Sequence, residues 1–182
     1  MLRIISGRYR GRRLKGPIGD GVRPTSDSLR ETLFNILRGR VESARVLDGY
    51  AGTGAIGLEA LSRGAATVTF VERDRRALEG LRQNVAACSA EDACVIIRDD
   101  FVGVGARHGV GPYDLVIVDP PYDTGPYEPI LLEATARLAP AGVLVVEHSR
   151  RRAVPADAGG LPRQRVVTAG DSALAFFAAA PW

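Results

Sequence analysis

Apolar and polar positions change period along this chain. From Arg45 onward, short apolar runs of strand length alternate with stretches whose apolar residues recur every three or four positions. "RVLDGY" (45–50), "TVTFVE" (67–72), "ACVIIRD" (93–99), "YDLVIVD" (113–119) and "GVLVVEHS" (142–149) read as strands. Helices are expected over 55–63, from an Asp74 cap to about residue 87, and over 126–139, with a short helical segment after the third strand. Residues 150–162 read as loop. "RQRVVTA" and "ALAFFAA", joined by Gly170-Asp171, read as a hairpin. Apolar strands alternating with helices predict an α/β fold. Its sheet is mostly parallel and covered on both faces by helices, and the C-terminal hairpin adds an antiparallel edge.

The first forty residues follow another pattern. Leu2, Ile4, Ile5, Tyr9 and Leu14 alternate loosely around Gly7 and Gly11, as in a short β-hairpin or extended arm. After a loop, Pro24 blocks helix before Thr25, and Ser26, Asp27 and Ser28 are each possible N-caps. Ser28 with Glu31 fits a capping box. Leu29, Leu33, Phe34, Ile36 and Leu37 then mark the buried face of a helix, with Gly39 as its stop. The expected division is a basic extension over 1–40 and an α/β body over 41–182.

Charge sharpens that division. The net charge is only +3, but residues 1–24 hold Arg3, Arg8, Arg10, Arg12, Arg13, Lys15 and Arg23 against Asp20, a net +6, leaving the rest at −3. Of the 24 basic residues, 23 are Arg, whose planar guanidinium grips phosphate in two places. A basic arm on a near-neutral body suggests a polyanion partner. No apolar run is long enough for a membrane span, and the N-terminus does not read as a signal peptide, so a cytoplasmic protein is expected. Cys88 and Cys94 lack metal-site spacing and read as reduced thiols. His108 and His148 stand alone and read as structural. Arg150, Arg151 and Arg152 read equally as phosphate contacts or a solvated loop.

Between the first strand and its helix lies Asp48-Gly49-Tyr50-Ala51-Gly52-Thr53-Gly54-Ala55-Ile56-Gly57. Gly52, Gly54 and Gly57 satisfy GxGxxG in a strand-to-helix setting, which admits a nucleotide-like ligand close to the backbone. A dinucleotide and S-adenosylmethionine both suit the loop, and both would use Glu72, at the end of the second strand, for ribose hydroxyls. Two features favour the methyl donor. Asp48 at the mouth of the first strand can face a cationic amino acid tail. Asp99 or Asp100 can accept from an adenine amino group, with Phe101 beside the ring.

The fourth strand ends on Asp119-Pro120-Pro121-Tyr122. Two prolines offer no N–H, so the ladder must stop there. The stiffened corner presents the Asp119 carboxylate and the Pro120 carbonyl as two acceptors beside an aromatic ring. Methyl transfer to an exocyclic amine needs such a corner. The amine's lone pair is delocalised into its ring, and acceptors on its two hydrogens localise it for attack. Tyr122 can stack on an unstacked base.

A glycine loop together with this corner resembles the class I S-adenosylmethionine-dependent amino methyltransferases. "RIISGRYRGRRL", "RPTSDSLRETLFNIL", "GLEALSRGA" and "VIVDPPY" are similar to segments of the bacterial 16S rRNA (guanine(966)-N(2))-methyltransferase family. The similarity runs from about Leu2 to Tyr122, with a weaker echo at Gly170-Asp171. It implies a seven-stranded Rossmann-like sheet and no metal. It implies Asp119, Pro120 and Tyr122 at the target amine, with Asp48, Gly52, Gly54 and Glu72 at the cofactor. It implies an N-terminal extension holding 16S ribosomal RNA in a small-subunit assembly particle, with Thr25 and Arg30 closing over the site, and a monomeric enzyme. Two positions depart from the family. Gly49 replaces a usual apolar residue, so a loosely ended first strand is expected, and Ala169 replaces the usual aromatic before Gly-Asp. Other readings are a DNA adenine-N6 or cytosine-N4 methyltransferase, a protein glutamine methyltransferase, an NAD-dependent oxidoreductase, and a non-catalytic RNA-binding module. The first would call for a target-recognition domain that 182 residues leave little room for. The second typically has Asn where this chain has Asp119.

Overall fold

The computed structural model describes residues 2–16, 26–121 and 123–181; Arg23, Thr25 and Tyr122, named above, lie outside them. After helix α1 (Asp27–Ile36), strands and helices alternate: β1 (Arg45–Gly49), α2 (Ala55–Ser62), β2 (Thr67–Glu72), α3 (Arg75–Ala87), β3 (Cys94–Arg98), α4 (Val104–His108), β4 (Tyr113–Val118), α5 (Glu128–Ala136) and β5 (Leu138–Ser149). The chain closes with β6 (Asp157–Ala158), β7 (Leu161–Ala169) and β8 (Ser172–Phe177). All strands join one sheet in the order β3-β2-β1-β4-β5-β8-β7-β6. The first five run parallel and the last three antiparallel.

This is the expected mostly parallel α/β sheet, with helices on both faces and a C-terminal hairpin. One face carries the core of Val46, Val68, Phe70, Leu115, Ile117, Val143 and Val145 under α1, α2 and α3. The other carries Leu47, Val71, Val116, Val118, Leu144 and Val146 under α4 and α5. Each fully buried Leu among these contributes about 1.5–3 kcal/mol relative to exposure.

Three local expectations are corrected. The seven strands become eight, because Asp157 and Ala158 pair with Pro162 and Leu161 in the stretch read as loop; two residues carry no periodicity to read. α5 stops at Ala136 rather than 139, and β5 begins at Leu138. Pro140 lies where the register shifts between the Tyr113–Leu138 and Leu115–Val143 pairs, as suits a residue with no N–H to donate. α1 is capped by Ser26, whose hydroxyl accepts from the Leu29 N–H at 3.1 Å, and not by the Ser28–Glu31 pair. Asp74 caps α3 as expected, accepting from the Ala77 N–H.

The N-terminal extension does form a hairpin. The Ile4 N–H donates to the Arg12 carbonyl, the Gly11 N–H to Ile4 and the Leu14 N–H to Leu2, at 2.9–3.0 Å. Leu2, Ile4 and Leu14 join the same core cluster as α1 and the sheet. Arg3, Arg8, Arg10, Arg12 and Arg13 remain exposed. Cys88 and Cys94 are free thiols; burial pushes both up, Cys94 to about 12, which suits unreactive side chains. Among the described residues, no helix is long and apolar enough to cross a membrane.

Candidate active site

The strand order reverses between β1 and β4, the place where open α/β sheets bind ligands at their carboxyl ends. The glycine loop leaves β1 there. Tyr50, Gly52 and Gly54 all have left-handed backbone, with φ of 62°, 53° and 75°. At Gly54 the positive φ favours glycine, and a Cβ would lie 2.2 Å from Leu81 Cδ1 on α3, which would have to move. A Cβ at Gly52 would meet nothing nearer than the Tyr50 carbonyl at 3.9 Å, so this part of the loop faces open space into which a ligand can come close.

Two acids organise the loop. The half-buried Glu72 carboxylate accepts from the Gly52 N–H at 2.8 Å and the Asp74 N–H at 2.7 Å, tying the mouths of β1 and β2 together. Each oxygen keeps a further lone pair for a ligand hydroxyl. Asp48 is 2% exposed and accepts from the Gly57 N–H at 2.9 Å. Burial pushes its carboxyl up to about 8; the Gly57 N–H opposes that rise and the Glu72 charge adds to it. No cation among the described residues offsets the burial, so a cationic ligand group would complement this acid.

That shift predicts a pH dependence of stability. An unfolded Asp titrates near 3.9, whereas folded Asp48 keeps its proton to about 8. The stability it contributes is therefore present below about pH 4 and is lost as pH rises through the folded value. Urea unfolding should show wild type losing ground to Asp48→Asn from about pH 4 to about pH 8, then no further. A flat difference across that window would contradict the assignment.

The third strand's acids are held by their own neighbourhood. Asp99 accepts from Arg107 Nε at 2.6 Å and lies 2.8 Å from His108 Nε2, and these partners hold its carboxyl well below the usual range. Asp100 accepts from the Val102 N–H and from Arg73 Nη1, both at 3.1 Å. Phe101 is buried, its ring packed on Gly49, where a Cβ would lie 2.6 Å away. This explains the departure at Gly49: the ring fills the place of a side chain. β1 does not end loosely, because Gly49 pairs in register with Val71 and Val118. Tyr50 lies against Phe101, ring centroids 5.4 Å apart, and is the partly exposed aromatic of the pair. Its place in a left-handed turn gives no sequence signal of that exposure.

Asp119 continues the ladder one residue past β4, its N–H donating to the Gly49 carbonyl at 3.3 Å. It is half-buried, Pro120 is buried and Pro121 is exposed. The Thr124 N–H then closes a turn onto the Pro121 carbonyl at 2.9 Å. Arg152 grips this loop from the side, its guanidinium donating to the Thr124 and Gly125 carbonyls and lying 4.4 Å above the Tyr127 ring. His148 Nδ1 sits 2.9 Å from the Ser149 and Arg152 carbonyls, so Nδ1 carries the proton. Arg152 is thus a loop clamp, while Arg150 and Arg151 are exposed. The hairpin tip reaches the same edge, where the Asp171 carbonyl accepts from the Arg150 N–H at 2.8 Å. A hollow of about 360 Å³ lies between Pro126–Glu128 and Arg152–Pro155; Asp48, Glu72 and Asp119 do not line it.

The basic hairpin is fixed to the body through α2. The fully buried Glu59 accepts from the Ile5 N–H at 2.7 Å, the Ser6 N–H at 3.0 Å and Arg63 Nε at 2.7 Å. Ser62 accepts the Tyr9 N–H on Oγ and the Arg8 N–H on its carbonyl. Asn84 of α3 links the arm's end to the glycine loop, accepting from the Lys15 N–H at 2.7 Å and donating to the Thr53 carbonyl at 2.9 Å. The expectation for Arg30 is corrected: its side chain is 0% exposed, so it presents no guanidinium to RNA. It donates to the Arg3 carbonyl at 2.8 Å and to Asp27 at 2.6 Å, joining hairpin to α1. Its Nε and Nη1 find no partner among the described residues.

Known proteins share this architecture. "Ribosomal RNA small subunit methyltransferase D" of Escherichia coli (strain K12) is 39% identical over 178 residues, covering 97% of this chain and 89% of that protein. The solved structure of yhhF from Escherichia coli superposes with a TM-score of 0.84 at 36% identity, covering 97% of both chains. The solved hypothetical protein TTHA0928 of Thermus thermophilus gives a TM-score of 0.81 at 28% identity, covering 97% of this chain and 98% of its own. Matched by its family model from residue 2 to residue 178, this chain belongs to the family described as Conserved hypothetical protein 95.

Proposed function

We propose that this protein transfers a methyl group from S-adenosylmethionine to the exocyclic N2 of a guanine in 16S ribosomal RNA, acting as a cytoplasmic monomer on a small-subunit assembly particle. The observation that carries this reading is the corner at Asp119 and Pro120. It stands at the switch point, hydrogen-bonded to the end of the strand that feeds the glycine loop. The E. coli relative's name, a small-subunit ribosomal RNA methyltransferase, supports the substrate class.

The residues fit the cofactor. Glu72 accepts from the ribose hydroxyls, Asp48 faces the ammonium group, Gly52 and Gly54 let the ligand lie against the backbone, and Asp99 and Asp100 border the adenine, with the buried Phe101 packed behind Tyr50. Once bound, S-adenosylmethionine supplies an electrophilic methyl on its sulfonium sulfur. Asp119 and the Pro120 carbonyl accept the two hydrogens of the guanine amine and concentrate its lone pair at nitrogen. The Asp119 carboxylate would offset the positive charge that develops on the amine nitrogen, take up one of its protons and pass it to solvent. Tyr122 stacks on the base. Arg3, Arg8, Arg10, Arg12, Arg13 and Arg23 hold the RNA backbone, so binding weakens steeply with salt. Most of the acceleration comes from positioning and electrostatics.

Incubation with methyl-labelled S-adenosylmethionine and small-subunit particles lacking their own methylation tests this reading. Label is expected in the RNA, with S-adenosylhomocysteine bound more tightly than NADH. Folded protein that binds NADH more tightly, or leaves the RNA unlabelled, would overturn it.

The clamp on the loop gives a second expectation. Arg152→Ala frees the Thr124 and Gly125 carbonyls, and a corner displaced by about 1 Å loses on the order of 10²-fold in rate. Single-turnover transfer should fall by about that factor while S-adenosylhomocysteine affinity is unchanged. A wild-type rate in the variant would show that the corner is rigid without the clamp.

A further inference from the structure

The ladder between β4 and β5 ends at Val118 and Val146, while β5 runs on beside β8 to Ser149. Ile117 pairs with Val145 and Val118 with Val146, so the next residues along the two strands are Asp119 and Glu147. Side chains alternate along each strand. Leu115, Ile117, Val143 and Val145 all pack into the core on the α1–α3 face, and Val116, Val118, Leu144 and Val146 into the other. Alternation therefore brings Asp119 and Glu147 to the α1–α3 face, about one strand spacing of 4.7–4.9 Å apart. Asp48 and Glu72 follow the same alternation from Val46 and Phe70, whose side chains lie in that core.

Glu147 is 3% exposed, and it stands opposite Leu174 in the β5–β8 ladder. A carboxyl group buried there costs free energy that an apolar residue would not, even when it is hydrogen-bonded. Like Asp119, it directly follows the last apolar pair of the β4–β5 ladder at the ligand edge of the sheet. A guanine offers donors on two nitrogens bonded to the same carbon, the ring N1–H and the N2 amine on C2. Adenine and cytosine carry an unprotonated acceptor nitrogen beside their amines. A carboxylate next to the amine site therefore attracts guanine and repels the other two.

We propose that Glu147 accepts the N1–H of the target guanine and so selects guanine over adenine and cytosine. The assignment rests on the guanine-N2 reading above and adds the group that enforces it. 2-Aminopurine tests it, since that base keeps the 2-amine but has an unprotonated N1. Particles are reconstituted with guanine or 2-aminopurine at the methylated position, and labelled transfer is measured for wild type and Glu147→Gln. Wild type is expected to prefer guanine by at least about 10²-fold, because a site built around a hydrogen bond rejects the analogue lacking it. Glu147→Gln, whose amide can donate to an unprotonated N1, should lose about 10²-fold on guanine, narrow the preference to within about tenfold, and bind S-adenosylhomocysteine as wild type does. Similar wild-type rates on the two bases, or a variant that keeps the wild-type preference at any rate, would overturn the role of Glu147 and leave the guanine-N2 reading standing. Wild type that transfers nothing to guanine would overturn both.

Discussion

Asp119→Ala should lower the rate of methyl transfer by about 10²–10³-fold, the usual cost of removing one preorganised hydrogen-bonding group from a site of developing charge. The side chain is one of the two acceptors proposed for the amine. The Pro120 carbonyl remains, so positioning by one hydrogen bond survives and the rate does not fall to the uncatalysed level. The fold is expected to survive as well. The Asp119 backbone N–H reaches the Gly49 carbonyl whatever the side chain, so that ladder contact is kept. S-adenosylhomocysteine affinity should stay within a few-fold of wild type, because Asp48, Gly52 and Glu72 are untouched. Single-turnover transfer and isothermal titration separate the two effects. A folded Asp119→Ala protein that transfers at the wild-type rate would refute the assigned mechanism.

Glu59→Ala carries the largest expected cost in stability. Its carboxylate is the shared acceptor for the Ile5 and Ser6 N–H groups and for Arg63, deep between hairpin and α2. Alanine leaves all three donors without an acceptor, which costs about 3–5 kcal/mol where a buried charged partner is stranded. Against a typical total of about 5–15 kcal/mol, that is a large share. In a chain of this length it lowers the melting temperature by on the order of 10 °C. Hydrogen exchange at the Ile5 and Ser6 amides should accelerate first, because the hairpin can leave while the sheet stays paired. RNA binding should then lose much of its salt dependence, since the arginines no longer keep a fixed register with the mouth of the sheet. An unchanged melting temperature with slow exchange at both amides would show that the hairpin is held by its apolar contacts alone.

Much of this was legible in the sequence. GxGxxG between a strand and a helix demands left-handed turns, and Gly52 and Gly54 adopt them. Acids closing apolar strands marked Asp48, Glu72 and Asp119 because the carboxyl edge is where α/β ligands lie. Burial was harder to read. Arg30 was expected, with Thr25, to close over the site. Yet it stands three and four positions before Leu33 and Phe34, on the stripe that α1 buries. Glu59 sits in a helix whose eight residues are all buried, so its neighbours, not its own type, signal an internal partner. Glu147 follows an apolar run as Asp119 does, but within its strand and without the prolines that drew attention there. The grip of Arg107 and His108 on Asp99, and of Arg152 on the corner, depends on which loops meet. No local spacing encodes that.

The central claim is chemical: the Asp119–Pro120 corner methylates an exocyclic amine of guanine. Digestion of the labelled RNA to nucleosides, followed by mass spectrometry, tests it most directly. The labelled nucleoside is expected to be N2-methylguanosine, formed by wild type and nearly absent with Asp119→Ala. Label in a methylated adenosine or cytidine, or on a guanine ring nitrogen, would contradict it.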